Sequence, residues 1–172
     1  MCIILFPSLV KIYGVWGAVM QGRAAAYDLA KFGDTEEVRL GDVDVNRAER
    51  EANRLNGLLG KNRVKPYLVD VSDLEHVIHF LEPIDGVLSA VPYFFNVKIT
   101  EAAILAHSHM VDLGGNTDVV FAQHALSQKA KKEGVTIVPD CGLMPGLGNI
   151  FAVYALETMD EVHEVKIRCG GL

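Results

Sequence analysis

The chain has 172 residues, half of them hydrophobic and 22% charged; that is enough apolar material for one packed domain and excludes a disordered chain. A formal net charge of -6 and a pI near 5.5 argue against a nucleic-acid partner, because phosphate binding draws on clustered Lys and Arg. Cys2, Cys141 and Cys169 are too few and too scattered for a disulfide framework or a zinc site, so a reducing cytoplasm is the expected setting.

The opening run MCIILFPSLVKIYGVWGAVM is apolar, yet no basic segment precedes it, and Pro7 and Lys11 interrupt it. The expectation is therefore a buried strand behind an apolar extension over residues 1–9, with no membrane span. The first strand covers 10–16 and the first helix 22–32, rich in alanine and stopped by Gly33. A second strand at 38–40 ends near Asp42. Residues 45–59 form a helix in which Ala48, Ala52, Leu55 and Leu59 recur at helical spacing, closed by Gly60.

A third strand covers 64–69, and Ser72 starts a helix to about Leu81, with Asp73 and Glu75 in its favourable first turn. A fourth strand, 86–90, runs into Val91 and Pro92 and a helix over about 96–106. The fifth strand is 110–113, a long helix follows over 119–133, and the sixth strand is 135–138. Beyond it a helix is expected over 146–158 and a strand over 162–169. The basic run of Lys129, Lys131 and Lys132 fits the solvated end of a helix. Apolar runs alternating with amphipathic stretches predict an α/β fold, a doubly wound parallel sheet.

In such sheets ligands lie beyond the carboxyl ends of the strands, where the winding direction reverses. The loop GAVMQG, residues 17–22, has Gly17 for a tight turn and Gly22 for close helix packing. Its middle position, where glycine lets a backbone approach a pyrophosphate, is Val19. A partial glycine pattern is explained equally well by a plain turn. Asp42, at the end of the second strand, is placed to bond the ribose hydroxyls of NAD, and a carboxylate there disfavours the 2′-phosphate of NADP. Asp44 is the better cap for the following helix.

Asp70 and Val71 follow the third strand, where an adenine edge would lie, with capping by Ser72 as the structural alternative. Ser89 to Pro92 are small residues that leave room for a ribose or nicotinamide, or simply make a tight turn. The six histidines, at 76, 79, 107, 109, 124 and 163, form no metal constellation and are expected on the surface or in loops. In DCGLMPGLGN, residues 140–149, an acid, a thiol and three glycines lie between a strand and a helix. With no histidine placed by sequence to activate it, Cys141 is expected to be a small packed thiol.

The runs GRAAAYDLAKFGD (22–34), SAVPYFFN (89–96), VDLGGNTDVV (111–120) and VPDCGLMPGLGN (138–149) together resemble the saccharopine dehydrogenase-like family, most closely its lysine 6-dehydrogenase branch. The similarity runs in collinear order over about residues 10–172. It implies a Rossmann-type NAD-binding domain, placed here at 10–118, and the start of an α/β substrate domain at 119–172 that also forms a homodimer contact. It implies oxidative deamination of the lysine side-chain amine, with hydride passing to the nicotinamide; a saccharopine-type reductase is the alternative.

By the same resemblance Gly17, Ala18 and Gly22 form the pyrophosphate loop, Asp42 is the ribose acid, and Asp70 and Val71 lie on the adenine side. Ala90, Val91 and Pro92 lie on the nicotinamide side, and Asn116 and Thr117 face the cofactor. The substrate side is assigned to Asp140, Cys141, Gly142, Pro145 and Gly146, with Asp140 the candidate catalytic polar group beside the amine. Three features depart from the family: Val19, a divergent segment before Gly17, and an end at VKIRCGGL, about where the substrate domain's sheet is getting under way. The expectation is a fragment or a shortened relative, with a non-catalytic nucleotide binder as the competing function.

Overall fold

The computed structural model describes residues 11–170; the expected apolar extension at 1–9 and Val10 lie outside them. Six parallel strands form one sheet in the order β3-β2-β1-β4-β5-β6. They are β1 (Ile12–Trp16), β2 (Glu37–Asp42), β3 (Val64–Leu68), β4 (Gly86–Ser89), β5 (His109–Asp112) and β6 (Ile137–Val138). The winding direction reverses between β1 and β4, as in doubly wound dinucleotide-binding sheets.

Side chains alternate across each strand, and this divides the core into two layers. Val15 points to one face, where α1 (Met20–Phe32) and α2 (Val45–Leu59) bring Ala26, Ala30, Ala48, Ala52 and Leu55 against Val38, Leu40 and Val64. Trp16 points to the other. There α3 (Leu74–Leu81) and α4 (Asn96–Leu105) supply Val77, Phe80, Leu81, Ile99, Ala102 and Ala103. The alanines of α1 and α2 let the helices lie close to the sheet. In α2, Asp44 caps the first turn by accepting the Arg47 N–H at 3.2 Å, and Gly60 ends the helix in the left-handed region, φ 62°.

Four local expectations change. Asp73, not Ser72, caps α3, its Oδ1 accepting the N–H groups of Glu75 and His76 at 3.0 and 3.3 Å, because the Ser72 hydroxyl is committed to Asp70 at 2.6 Å. The single helix expected over 119–133 is two, α5 (Thr117–His124) and α6 (Ser127–Lys132). Between them Leu126 N–H bonds Gln123 O at 3.0 Å, tightening the chain, and Leu126 and Ala130 pack with Ile104 and Val135. The strand expected over 162–169 is absent: these residues are nearly all exposed and pair with no strand among the described residues, and a ladder needs a partner. His109 is a half-buried strand residue rather than a surface or loop one, with Nδ1 accepting the Thr136 N–H at 2.9 Å; burial pushes its pKa down.

The sheet runs past residue 118, where the sequence alone puts the end of the cofactor domain, because Met110 and Val111 of β5 pair with Ile137 and Val138. Beyond β6, α7 (Leu147–Glu157) buries none of its residues. No helix of the described residues is long and apolar enough to cross a membrane.

Candidate functional site

The loop after β1 is shaped by close approaches. Gly17 has φ +94°, its N–H bonds Gly41 O at 2.9 Å, and an added Cβ would stand 2.9 Å from Ala90 O. At Gly22 a Cβ would run into the Gly17 carbonyl oxygen. Both positions therefore require glycine. Val19 is extended, with φ -133° and ψ 163°, and 42% exposed, so its side chain stands in the opening over the loop.

Beyond the carboxyl ends of β1 to β4 lies a cavity of about 410 Å³. Of the residues expected at a cofactor, Gly17, Asp42, Asp70, Val71, Ala90, Val91 and Pro92 line it. Ala18 and Gly22 serve it indirectly: Ala18 is buried and gives its N–H to Asp42 Oδ2 at 2.9 Å, and Gly22 lets α1 start against the loop. Trp16, Gly41, Arg47, Ser72 and Phe95 line the cavity too, unforeseen by sequence reasoning. For Arg47 the available signal was its spacing, in the first turn of α2 and five residues after Asp42.

Asp42 is 7% exposed, and Arg47 reaches it with Nη2 at 2.7 Å from Oδ1 and Nε at 3.2 Å from Oδ2. Burial pushes the Asp42 carboxyl up, but the Arg47 hydrogen bond, the Asp44 and Ala18 N–H groups and the guanidinium charge together hold it below its ordinary value. Asp70 is held below its ordinary value by the hydroxyl and N–H of Ser72. Asp42 is therefore not the bare carboxylate that would repel a 2′-phosphate, since Arg47 supplies a counter-charge.

Asn116 and Thr117 sit elsewhere. They line a second recess of about 320 Å³ with Asp140, Leu143, Met144 and Pro145, while the Asn116 side chain caps α5 by accepting the N–H groups of Asp118 and Val119 at 2.9 and 3.1 Å. The short 3₁₀ turn Tyr93–Phe95 touches both places: Phe95 lines the first cavity, and the Tyr93 side chain crowds Gly115 of the second, 3.0 Å from where a Cβ would stand. Asp140 has φ +61°, and its carboxylate covers Gly114, where a Cβ would strike it. Gly142 and Gly146, expected on the substrate side, bridge backbone to backbone and do not line the recess.

Cys141 is exposed rather than packed, because its backbone N–H is drawn to Asp112 O at 2.8 Å at the rim of the sheet. Partial burial of the thiol, then the charges of Asp112 and Asp140, push its pKa up. Behind both recesses is a buried polar network that the sequence did not reveal. Asp112 accepts the N–H groups of Gly114 and Asp140 and the Gln123 amide, Gln123 also donates to Thr100, and Ser89 donates to Asn96.

The first cavity fits a dinucleotide. Gly17 makes the tight turn after β1, Gly22 lets α1 start against the loop, and Trp16, which lines the cavity, has an indole N–H with no partner among the described residues. Val19 narrows that fit without closing the cavity.

Comparison with known proteins agrees. Residues 12–138 match the family described as Saccharopine dehydrogenase NADP binding domain. The chain is 32% identical over 120 residues to the saccharopine dehydrogenase [NADP(+), L-glutamate-forming] of Pyricularia oryzae, covering 66% of this chain and 25% of the relative. It is 29% identical over 138 residues to the Saccharomyces cerevisiae enzyme of that name, covering 76% and 30%. A solved apo saccharopine dehydrogenase (L-Glu forming) from S. cerevisiae shares the fold, with a TM-score of 0.64, 23% identity, and coverage of 86% of this chain and 31% of that one. The chain thus spans less than a third of the length of these curated relatives. With a six-stranded dinucleotide-type sheet, glycines where the loop demands them and a family match across the whole sheet, the chain belongs to the saccharopine dehydrogenase NADP binding domain family.

Proposed function

We propose that the chain is the nucleotide-holding part of an oxidoreductase acting on a carbon–nitrogen bond of an amino acid. The observation that carries this reading is the cavity beyond β1 to β4, where the nucleotide loop, Asp42, Asp70 and the Ala90 to Pro92 turn converge. The first turn of α1 and Gly17 would face the phosphates, Asp42 and Arg47 the adenosine ribose, Asp70 and Val71 the adenine, and Ala90 to Pro92 the nicotinamide. A bound pyridine nucleotide supplies the ring that accepts or gives hydride. The chain's task is to hold that ring and to place a polar group beside the substrate nitrogen, a role we assign to Asp140.

The names of the curated relatives support a saccharopine-type substrate. A second reading, oxidation of the lysine side-chain amine with NAD, rests on the runs at 111–120 and 138–149 that resemble the lysine 6-dehydrogenase branch. The exposed Ile150, Phe151 and Tyr154 of α7 would serve a homodimer contact.

Calorimetric titration of the chain with NAD and NADP tests the binding half of the proposal. Saturable binding that is weakened in Asp42→Ala supports it. A folded chain that binds neither removes it. Turnover of saccharopine against lysine by a longer form carrying this domain decides between the substrates.

A further inference from the structure

The Asp42 carboxylate is fully engaged. Oδ1 accepts the Asp44 N–H at 2.9 Å and Arg47 Nη2 at 2.7 Å; Oδ2 accepts the Ala18 N–H at 2.9 Å and Arg47 Nε at 3.2 Å. A carboxylate offers about four acceptor sites, so none is left for a ribose hydroxyl. Two of the four donors are backbone groups, fixed by the nucleotide loop and by the start of α2. The other two belong to one side chain, 36% exposed, on the first turn of α2. Any group that bonds Asp42 from the cavity must displace Arg47.

Arg47 is also the one cation among the described residues that line the cavity; Asp42 and Asp70 are its acids, and Asp70 is engaged by Ser72. Asp44, whose carboxylate caps α2, adds a second negative charge beside the guanidinium. The planar fork of a guanidinium matches a phosphate as well as it matches a carboxylate.

We propose that Arg47 sets the balance between NAD and NADP in this chain, by exchange between two anions. With NADP the guanidinium leaves Asp42 for the 2′-phosphate, so the cost of breaking one charged pair is offset by making another. With NAD it is a competitor, displaced from Asp42 into solvent before the ribose hydroxyls can be accepted. Asp42 keeps its bond to Ala18 in both cases and so holds the loop regardless of the cofactor. This inference rests on the reading of the cavity as a dinucleotide site.

The test is titration of the 172-residue chain, as wild type, Arg47→Ala and Arg47→Lys, with NAD, NADP and the fragments AMP and 2′,5′-ADP, with circular dichroism to verify folding. In Arg47→Ala, NADP and 2′,5′-ADP affinity should fall tenfold or more, while NAD and AMP affinity stays level or rises a few-fold. Arg47→Lys should retain part of the NADP affinity, and NADP binding by the wild type should weaken with salt more steeply than NAD binding. Equal losses for both cofactors, or no change for either, would overturn the exchange while leaving the nucleotide site standing. A wild-type chain that binds none of the four ligands would overturn both.

Discussion

The carboxylate of Asp112, at the end of β5, accepts the backbone N–H of Asp140 at 3.0 Å across 28 residues of sequence. Its other contacts are the Gly114 N–H at 2.8 Å and Gln123 Nε2 at 2.7 Å, and the residue is wholly buried. One side chain therefore sets the geometry of both loops that form the second recess. Asp112→Asn replaces an accepting oxygen with an amide that faces donors. The expected loss, read by urea unfolding, is about 2 to 3 kcal/mol, the scale for stranding buried hydrogen-bonding groups. A change below about 0.5 kcal/mol would show that the loops are held by other contacts.

Val19 is the clearest departure in the nucleotide loop, and its side chain borders the cavity without supporting the core. Val19→Gly should tighten dinucleotide binding by about tenfold, equivalent to about 1.4 kcal/mol, as measured by calorimetry. Unchanged affinity would mean that this loop does not carry the phosphates.

Gly22 has no space for a methyl group, since the Gly17 carbonyl occupies that position. Gly22→Ala should cost about 1 to 3 kcal/mol through overpacking and lower the thermal midpoint. Gly57→Ala is the control: it lies in α2 with open space around it, and it should leave the midpoint level or raise it.

The lowered pKa of Asp42 carries a sign for stability. A carboxyl whose folded value lies below its unfolded value, about 3.9, stabilises the fold fully above that unfolded value. The contribution is lost as pH falls through the folded value. The stability difference between wild type and Asp42→Asn should hold constant from neutral pH to about pH 5 and shrink below about pH 4, as followed by denaturant melts across that range. A difference that persists unchanged in strong acid would remove the charged pair as its source.

Cys141 and Cys169 are both exposed, and at Cys141 partial burial of the thiol, then the charges of Asp112 and Asp140, push the pKa up. Iodoacetamide reacts with the thiolate, so Cys141 should label more slowly than Cys169 near pH 8, as read peptide by peptide in a mass spectrometer. Asp140→Asn should quicken labelling at Cys141. Faster labelling at Cys141 in the wild type would contradict the electrostatic account.

The sequence by itself determined the sheet and the first cavity, because both depend on local, repeating constraints. Apolar runs alternate with helical spacing, and in a doubly wound fold that alternation brings residues just after the strands, Gly17, Asp42, Asp70 and Ala90 to Pro92, to one end of the sheet. Gly17 and Gly22 were legible because their backbone approaches tolerate no side chain. Tertiary structure alone decided the rest. Arg47 saturates Asp42 from one helical turn away, Gln123 and Thr100 meet Asp112 in the core, and Asn116 and Thr117 turn from the first cavity to share the second with Asp140. Such pairings depend on the direction of side chains after packing, which residue spacing can permit, as for Arg47, but does not decide. The division of α5 from α6 and the missing strand at 162–169 have the same origin: periodicity states what a segment can form, and its neighbours in space decide what it does form.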